Sequence, residues 1–384
     1  MLKNFKKPSY IDLVLSNWTQ LNIKPPKLWR SRSVRHSFGF WVLTMPSYLT
    51  AIATIMMLMS DSLLPATSQA QAQKQAPKAA PTQTPKPTSK DKPLPVVKKI
   101  GLQDAGLKLQ KVGQGVYALV ANADIPPVIQ TVAICNGGIV IGSDSVLVID
   151  PFHSPQLAEL MIATVKSLTD KPIKYVLNTH YHFARTGGNT TFIKLGIPVI
   201  GRGAIREYIY MGKDGTKGFT PPNLVLNSQV TLDLWLGDRQ VKIEPVDGHA
   251  AGTDLVVYVP DAKVLFTGDM VFHKRIPYTG DSDIRKWQGS LARLITNFPN
   301  AKVVPGEGEV TDVTGVKDQQ TYFSWLENLA FQWKAQNLTK EQVLEKFAKV
   351  PDAYKDYKFQ SLYSLTLVSA YEQFTRSQNI PLIP

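Results

Sequence analysis

The chain has 384 residues, 43% of them hydrophobic, enough for a sizeable packed core and for more than one domain. Its +13 net charge is gathered at one end: residues 1–99 hold 15 Lys and Arg against three Asp, which leaves residues 100–384 close to neutral. That distribution removes the basic surface that phosphate backbones require and excludes nucleic acid as a partner.

In chain order, residues 1–36 carry eight Lys and Arg against the single Asp12, and 37–60 is uncharged, most apolar over 48–59. A basic segment followed by an apolar one is the pattern of secretory targeting. Small residues at Ala66-Thr67-Ser68 and Ala70-Gln71-Ala72 offer cleavage sites. Residues 37–60 are also long enough to attach the chain to a membrane as an uncleaved anchor. Residues 1–72 are therefore predicted to be a signal peptide or N-terminal membrane anchor, and the protein to be exported to the periplasm or another extracytoplasmic space. Residues 73–99, rich in Pro, Lys, Gln, Ala and Thr, lack the apolar side chains that would offset ordering entropy and are predicted to be a disordered linker.

The folded body begins near Ile100. Runs rich in Val and Ile at 116–120, 131–134, 138–141 and 146–149, punctuated by Gly, Asn and Asp, predict short strands. Ser154 and Pro155 then open a helix whose apolar positions Leu157, Leu160, Met161, Val165 and Leu168 keep helical spacing. Further strands are predicted at 173–178, 241–245, 255–259, 263–267 and 302–304, with a hairpin turn at Pro260-Asp261-Ala262 and a helix over 284–298. From 316 the pattern is mostly helical. The coarse echo between 112–200 and 228–310 predicts two packed sheets with helices outside. Cys135, the single cysteine, excludes an intramolecular disulfide and a cysteine-built zinc cluster, and its apolar setting predicts a small buried core residue.

Candidate chemistry sits at strand ends. His180-Tyr181-His182 follows the strand at 173–178 directly; Asp247-Gly248-His249 follows 241–245; Gly268-Asp269 follows 263–267. Two histidines at i, i+2 in extended chain can turn both imidazoles to one side. Three protein ligands plus water is the usual arrangement of a catalytic zinc ion. His180, His182, His249 and Asp269 are therefore the predicted metal-binding set.

The segments 137–154, 179–189, 248–253, 265–269 and 305–308 resemble, in order and spacing, the five sequence landmarks of the metallo-β-lactamase superfamily. The resemblance implies an α/β fold, a four-layer αββα sandwich over residues 100–315, with a helical C-terminal extension, 316–384, packed on it. It implies His180, His182 and His249 as ligands of a first metal, Asp269 as a bridging carboxylate, and Asp150 as a buried residue that organises the ligand loops. Three positions depart from the family pattern His-x-His-x-Asp-His and its later Gly-His-Gly. Ala184 stands where an aspartate is expected, Arg185 where a histidine is, and Glu307 between Gly306 and Gly308 where another histidine is. All three affect the second metal position, so a mononuclear site is predicted, with one zinc ion and iron as the alternative. Arg185 is expected to pair with Asp269, Glu307 or both, or to meet a substrate carboxylate or oxyanion. His273 is an alternative ligand, His153 a residue of the entrance loop, Tyr181 a packing residue, Phe183 a packing or pocket-facing residue, and the aromatic tail (Tyr354, Tyr357, Phe359, Tyr363, Tyr371) core and lid.

The predicted function is a metal-dependent hydrolase of a small ester, lactam, lactone or thioester, with Asp269, Arg185 and Glu307 as the catalytic residues around the ion. A metal- or partner-binding member with little activity is the alternative, and a mononuclear Fe(II) dioxygenase built on His180, His249 and Asp269 a more distant one.

Overall fold

A computed structural model describes residues 100–375 apart from Pro126 and Ser228. The predicted leader, anchor and linker, 1–72 and 73–99, lie outside the described residues. Among the described residues no helix is long and apolar enough to cross a membrane.

Twelve strands form two sheets. The first holds β1 (Leu107–Gly113), β2 (Val116–Ala121), β3 (Gly137–Ile141), β4 (Val146–Ile149), β5 (Ile173–Leu177), β6 (Val199–Arg202) and β7 (Leu224–Leu226), in that spatial order. The second runs β12 (Lys302–Val304), β11 (Val264–Phe266), β10 (Leu255–Val259), β9 (Arg239–Pro245), β8 (Leu232–Leu236). Pairing is antiparallel from β1 to β4 and parallel from β4 to β7, and in the second sheet only β11 and β12 are parallel.

Side-chain alternation along each strand builds the layers. Val140, Leu147, Ile149 and Leu177 of the first sheet meet Ile243, Leu255, Val257 and Phe266 of the second in one core. The opposite faces are also apolar, as strands covered on both sides must be. Ile139, Val146, Val148 and Val176 pack beneath the helix Pro155–Leu168, while Val256, Leu265 and Val303 pack beneath the helices Ile284–Asn297 and Val313–Ala335. Each such fully buried aliphatic side chain contributes roughly 1.5–3 kcal/mol. The result is the αββα sandwich with C-terminal helices expected from the sequence.

The helix Pro155–Leu168 starts as predicted: the Ser154 hydroxyl accepts a hydrogen bond from Leu157 N at 3.3 Å, and Pro155 occupies its first turn. The helix Val313–Ala335 crosses the boundary drawn at 315/316. One predicted strand is absent. Residues 131–134 are irregular, with Val132 N bonded to Ile129 O and Ala133 N to Ala105 O. The apolar, β-branched character of that run reflects burial of Ala133 and Ile134 in the core rather than a ladder partner.

Candidate metal centre

The ends of β4, β5, β9, β11 and β12 converge on one edge of the sandwich, and the loops leaving them carry Asp150, His180 and His182, His249, Asp269 and Glu307. Gly248 places the third of these loops, the one carrying His249, against the helix Ile284–Asn297. Its φ is +126°, and a Cβ there would overlap the Trp287 backbone. Gly306 is equally confined, because a Cβ would run into the Asp269 carboxylate.

His180, His182 and His249 form a nearly equilateral triangle, with ring centroids 4.6, 4.8 and 4.9 Å apart. One ligand atom from each, together with a carboxylate oxygen of Asp269, lies within 4.8 Å of the others, and all four residues are buried. Tetrahedral bonds of ~2.1 Å would put such atoms roughly 3.4 Å apart, so a small contraction suffices. The outer ring nitrogens are held. His180 Nδ1 lies 3.1 Å from Thr179 Oγ1, and Thr179 in turn donates both N–H and hydroxyl to Asp150 at 2.8 Å. His249 Nδ1 lies 3.1 Å from Asp254 Oδ1, whose other oxygen accepts from Ala250 N at 2.7 Å. His182 Nε2 lies 3.2 Å from Asp281 Oδ2, which also accepts from the Tyr181 hydroxyl.

The inward Nε2 atoms of His180 and His249 are buried without a hydrogen-bond partner. A buried lone pair with no donor is costly unless something fills the gap, and a divalent cation fits this donor set. Burial pushes the His180 pKa down to about 3, so its ring stays neutral and its lone pair available. Burial also opposes charge on His182, but the carboxylates of Asp214, Asp281 and Asp269 outweigh it and raise its pKa. Asp254 and Asp281 are both held low against their own burial, chiefly by the histidines they face. A carboxylate behind a ligating imidazole fixes its tautomer and strengthens it as a donor.

Beside the triangle lies a second cluster of charge. Arg185 is fully buried. Its Nη2 donates to Asp269 Oδ1, to Glu307 Oε1 at 3.0 Å and to Gly306 O at 3.1 Å; its Nη1 donates to Asn136 O at 3.0 Å and lies 3.6 Å from Asp150 Oδ2. The two carboxylates on this guanidinium respond oppositely. Burial would raise the Asp269 pKa, but Arg185 and His180 hold it far below the usual range. For Glu307 burial wins over Arg185, aided by the nearby Asp269 charge, and the pKa is well above normal. Burial likewise takes Asp150 up to about 6 despite Arg185 and Thr179. Glu307 Oε2 has no hydrogen-bond partner.

A cavity opens over the cluster, enclosing about 290 Å³ of empty space with open solvent at its mouth included. Phe183, Ala184, Asp269 and Glu307 line it; Arg185 does not. Four other residues named from the sequence fall elsewhere. His273 Nδ1 lies 2.9 Å from Glu309 O, outside the triangle, and His153 is buried with Nε2 3.0 Å from Ile129 O. Tyr181 is buried beside His182, with its ring 4.6 Å from that imidazole, and Cys135 is a buried free thiol. Sequence reasoning missed Asp254, Asp281 and Asp214. Asp254 had a signal, a carboxylate five residues after His249; Asp214 and Asp281 come from distant loops and had none.

Residues 131–307 match the metallo-beta-lactamase superfamily profile. Over these residues the chain is similar to that superfamily. It is similar to a metallo-beta-lactamase type 2 from Bacillus cereus, 27% identical over 182 residues, 46% of this chain and 68% of that protein. A hydroxyacylglutathione hydrolase from Pelagibacter ubique is 32% identical over 151 residues, 38% of this chain and 54% of that enzyme. Among solved structures, that of VMB-1 superposes with a TM-score of 0.50 at 26% identity, covering 57% of this chain and 97% of VMB-1. The superfamily is one of metal-dependent hydrolases, and the histidine–aspartate cluster lies within the matched residues.

Proposed function

We propose that the protein is an extracytoplasmic, metal-dependent hydrolase of a small ester, lactam, lactone or thioester, working through a mononuclear zinc site. The observation that carries this reading is the pair of buried, inward Nε2 atoms on His180 and His249 that no hydrogen-bond donor satisfies, beside a guanidinium that ties up both neighbouring acids. His180, His182 and His249, with Asp269, would hold the ion. A zinc ion there would polarise a carbonyl oxygen and lower the pKa of a water molecule in its shell. Asp269 keeps Oδ1 on Arg185 and turns Oδ2 towards the triangle, 3.3 Å from His180 Nε2, where this oxygen would help to orient the attacking water. Glu307 lines the cavity with its pKa raised and Oε2 unpartnered, and can give a proton to the leaving group. Arg185 braces both acids from behind the cavity wall rather than meeting the substrate. Export rests on the charge and hydropathy pattern of residues 1–72. The relatives named hydrolases of lactams and of a thioester support the substrate range.

Ala184, where the family carries an aspartate, favours a second reading, a metal-binding or partner-binding member with little activity. A panel of aryl esters, cephalosporins and acyl thioesters separates the two. Turnover that disappears in His180→Ala supports the hydrolase. Inactivity on the whole panel, with zinc still bound and raising the melting temperature, supports the second reading.

A further inference from the structure

The two sheets each supply part of the ligand triangle. His180 and His182 leave β5 of the first sheet, whereas His249 sits in the loop that joins β9 to β10 of the second. Arg202, the last residue of β6, spans the seam between them. It alternates with Ile200, which lies in the core between the sheets, and its side chain is 1% exposed. Its Nη1 donates to Val246 O and to Asp254 O, the latter at 2.7 Å, and its Nη2 donates to Asp247 Oδ1 at 2.9 Å. These acceptors flank His249 on both sides in the chain. Asp254 is also the residue whose carboxylate lies 3.1 Å from His249 Nδ1 and accepts from Ala250 N at 2.7 Å. One residue thus has its carbonyl on the first sheet's guanidinium and its carboxylate on the candidate ligand. The turn that follows Arg202 also lies close to this loop: a Cβ on Gly203, at φ +58°, would meet Gly252 O at 2.8 Å.

We propose that Arg202 is a positioning residue for the metal centre, a strap from the first sheet that fixes His249 and Asp254 at their distance from His180 and His182. The proposal rests on the metal-binding reading of the triangle and adds a residue to it. A buried ion pair is weak evidence for stability, because desolvation of both charges offsets their attraction. Its use here is geometric. A guanidinium is a rigid planar fork, so one that donates to two carbonyls and a carboxylate sets their separation as a flexible ammonium cannot. Such sites tolerate displacements of only about 0.5 Å, and the partners behind ligating imidazoles change metal affinity roughly 10- to 100-fold. Two other contacts hold the same loop, and neither duplicates the strap. Leu255 N donates to Thr179 O at 2.8 Å, which ties only the C-terminal arm of the loop to the first sheet. Ser290 bonds the backbone of Asp247, but it belongs to the helix Ile284–Asn297 that covers the second sheet.

Three measurements on the full chain test the strap. Arg202→Met keeps the length of the side chain and removes the fork; Arg202→Lys keeps the charge without the planar set of donors. In the metal-free chain, amide hydrogen exchange followed by mass spectrometry is expected to rise at least about tenfold across 246–255 in Arg202→Met, with 173–186 unchanged. Zinc affinity, read by competition with a chromophoric chelator, is expected to fall about 10- to 100-fold in Arg202→Met and by less in Arg202→Lys. In a His249→Ala background Arg202→Met is expected to leave the residual zinc affinity unchanged, because the strap acts through the ligand that is gone. A general loosening of the fold would instead lower affinity equally in both backgrounds, and that result overturns the proposal. Unchanged zinc affinity in both Arg202 variants overturns it as well. If Arg202→Met fails to fold, Arg202→Lys carries the same three comparisons with smaller changes of the same sign. A wild-type chain that binds no zinc refutes the metal-binding reading alone; exchange across 246–255 that is the same in wild type and variant refutes the strap alone.

Discussion

Replacing Arg185 by methionine keeps most of the side-chain volume and removes the charge. In the wild-type chain the guanidinium is fully buried, donates to Asp269, Glu307 and the carbonyls of Asn136 and Gly306, and lies 3.6 Å from Asp150. Deleting one partner of a buried ion pair costs ~3–5 kcal/mol, because the remaining charge is left uncompensated. Two abandoned carbonyls would add about 1–3 kcal/mol each, while protonation of Glu307, whose pKa is already raised, returns part of the loss. The expected net loss is about 4 kcal/mol, or a melting temperature lower by roughly 10 °C for a body of this size. Urea unfolding of metal-free wild type and Arg185→Met at pH 7, followed by circular dichroism, measures it without a bound ion holding Asp269 ionised. The pH dependence has a definite sign. Without Arg185 the folded-state pKa of Asp269 rises above its unfolded value, while that of Glu307 is raised already in the wild-type chain. Folding at pH 7 then requires proton uptake, whose cost falls by ~1.4 kcal/mol per pH unit for each proton. The deficit must therefore shrink between pH 7 and pH 5. A loss below about 1 kcal/mol, or one that grows with acid, would refute the electrostatic account of this cluster.

Two further outcomes are expected. Asp254→Asn should weaken zinc binding about 10- to 100-fold, because the carboxylate behind His249 Nδ1 orients that ligand; a zinc competition assay against a chromophoric chelator reads it, and an unchanged affinity denies Asp254 that role. His153 has its pKa lowered by burial from 6.5 to about 4, so the unfolded chain binds the proton first and stability falls with acid. Between pH 7.5 and pH 5 this group alone should cost about 2 kcal/mol. His153→Gln, which can still donate to Ile129 O, should abolish that share of the acid sensitivity.

The candidate metal ligands were legible because each follows a strand end within a few residues, with glycine directly before His249 and Asp269, and local sequence sets both features. Burial on both faces made β4, β10 and β11 readable as apolar runs. The strand at Leu107–Gly113 and the short edge strands Leu224–Leu226 and Leu232–Leu236 are half-exposed and lean on pairing partners, so their own residues say little. The run 131–134 misled for the converse reason, being apolar through burial alone. Arg185 was expected to pair with Asp269, Glu307 or both, and is hydrogen-bonded to both. Asp281 and Asp214 reach the site only through tertiary packing, 99 and 31 residues from their partners His182 and Phe183. Phe359 belongs to the aromatic tail expected to act as core and lid, and it is the member of that group that lines the cavity. No spacing rule marks such residues.

The central claim is a single metal ion held by His180, His182, His249 and Asp269, with Arg185 bracing the acids beside it. Inductively coupled plasma mass spectrometry on the chain, dialysed against excess zinc and then desalted, tests it most directly. The account predicts one zinc per chain, falling to near zero in His180→Ala and unchanged in Glu307→Gln. Two tightly held ions per chain, or one that survives His180→Ala, would contradict it.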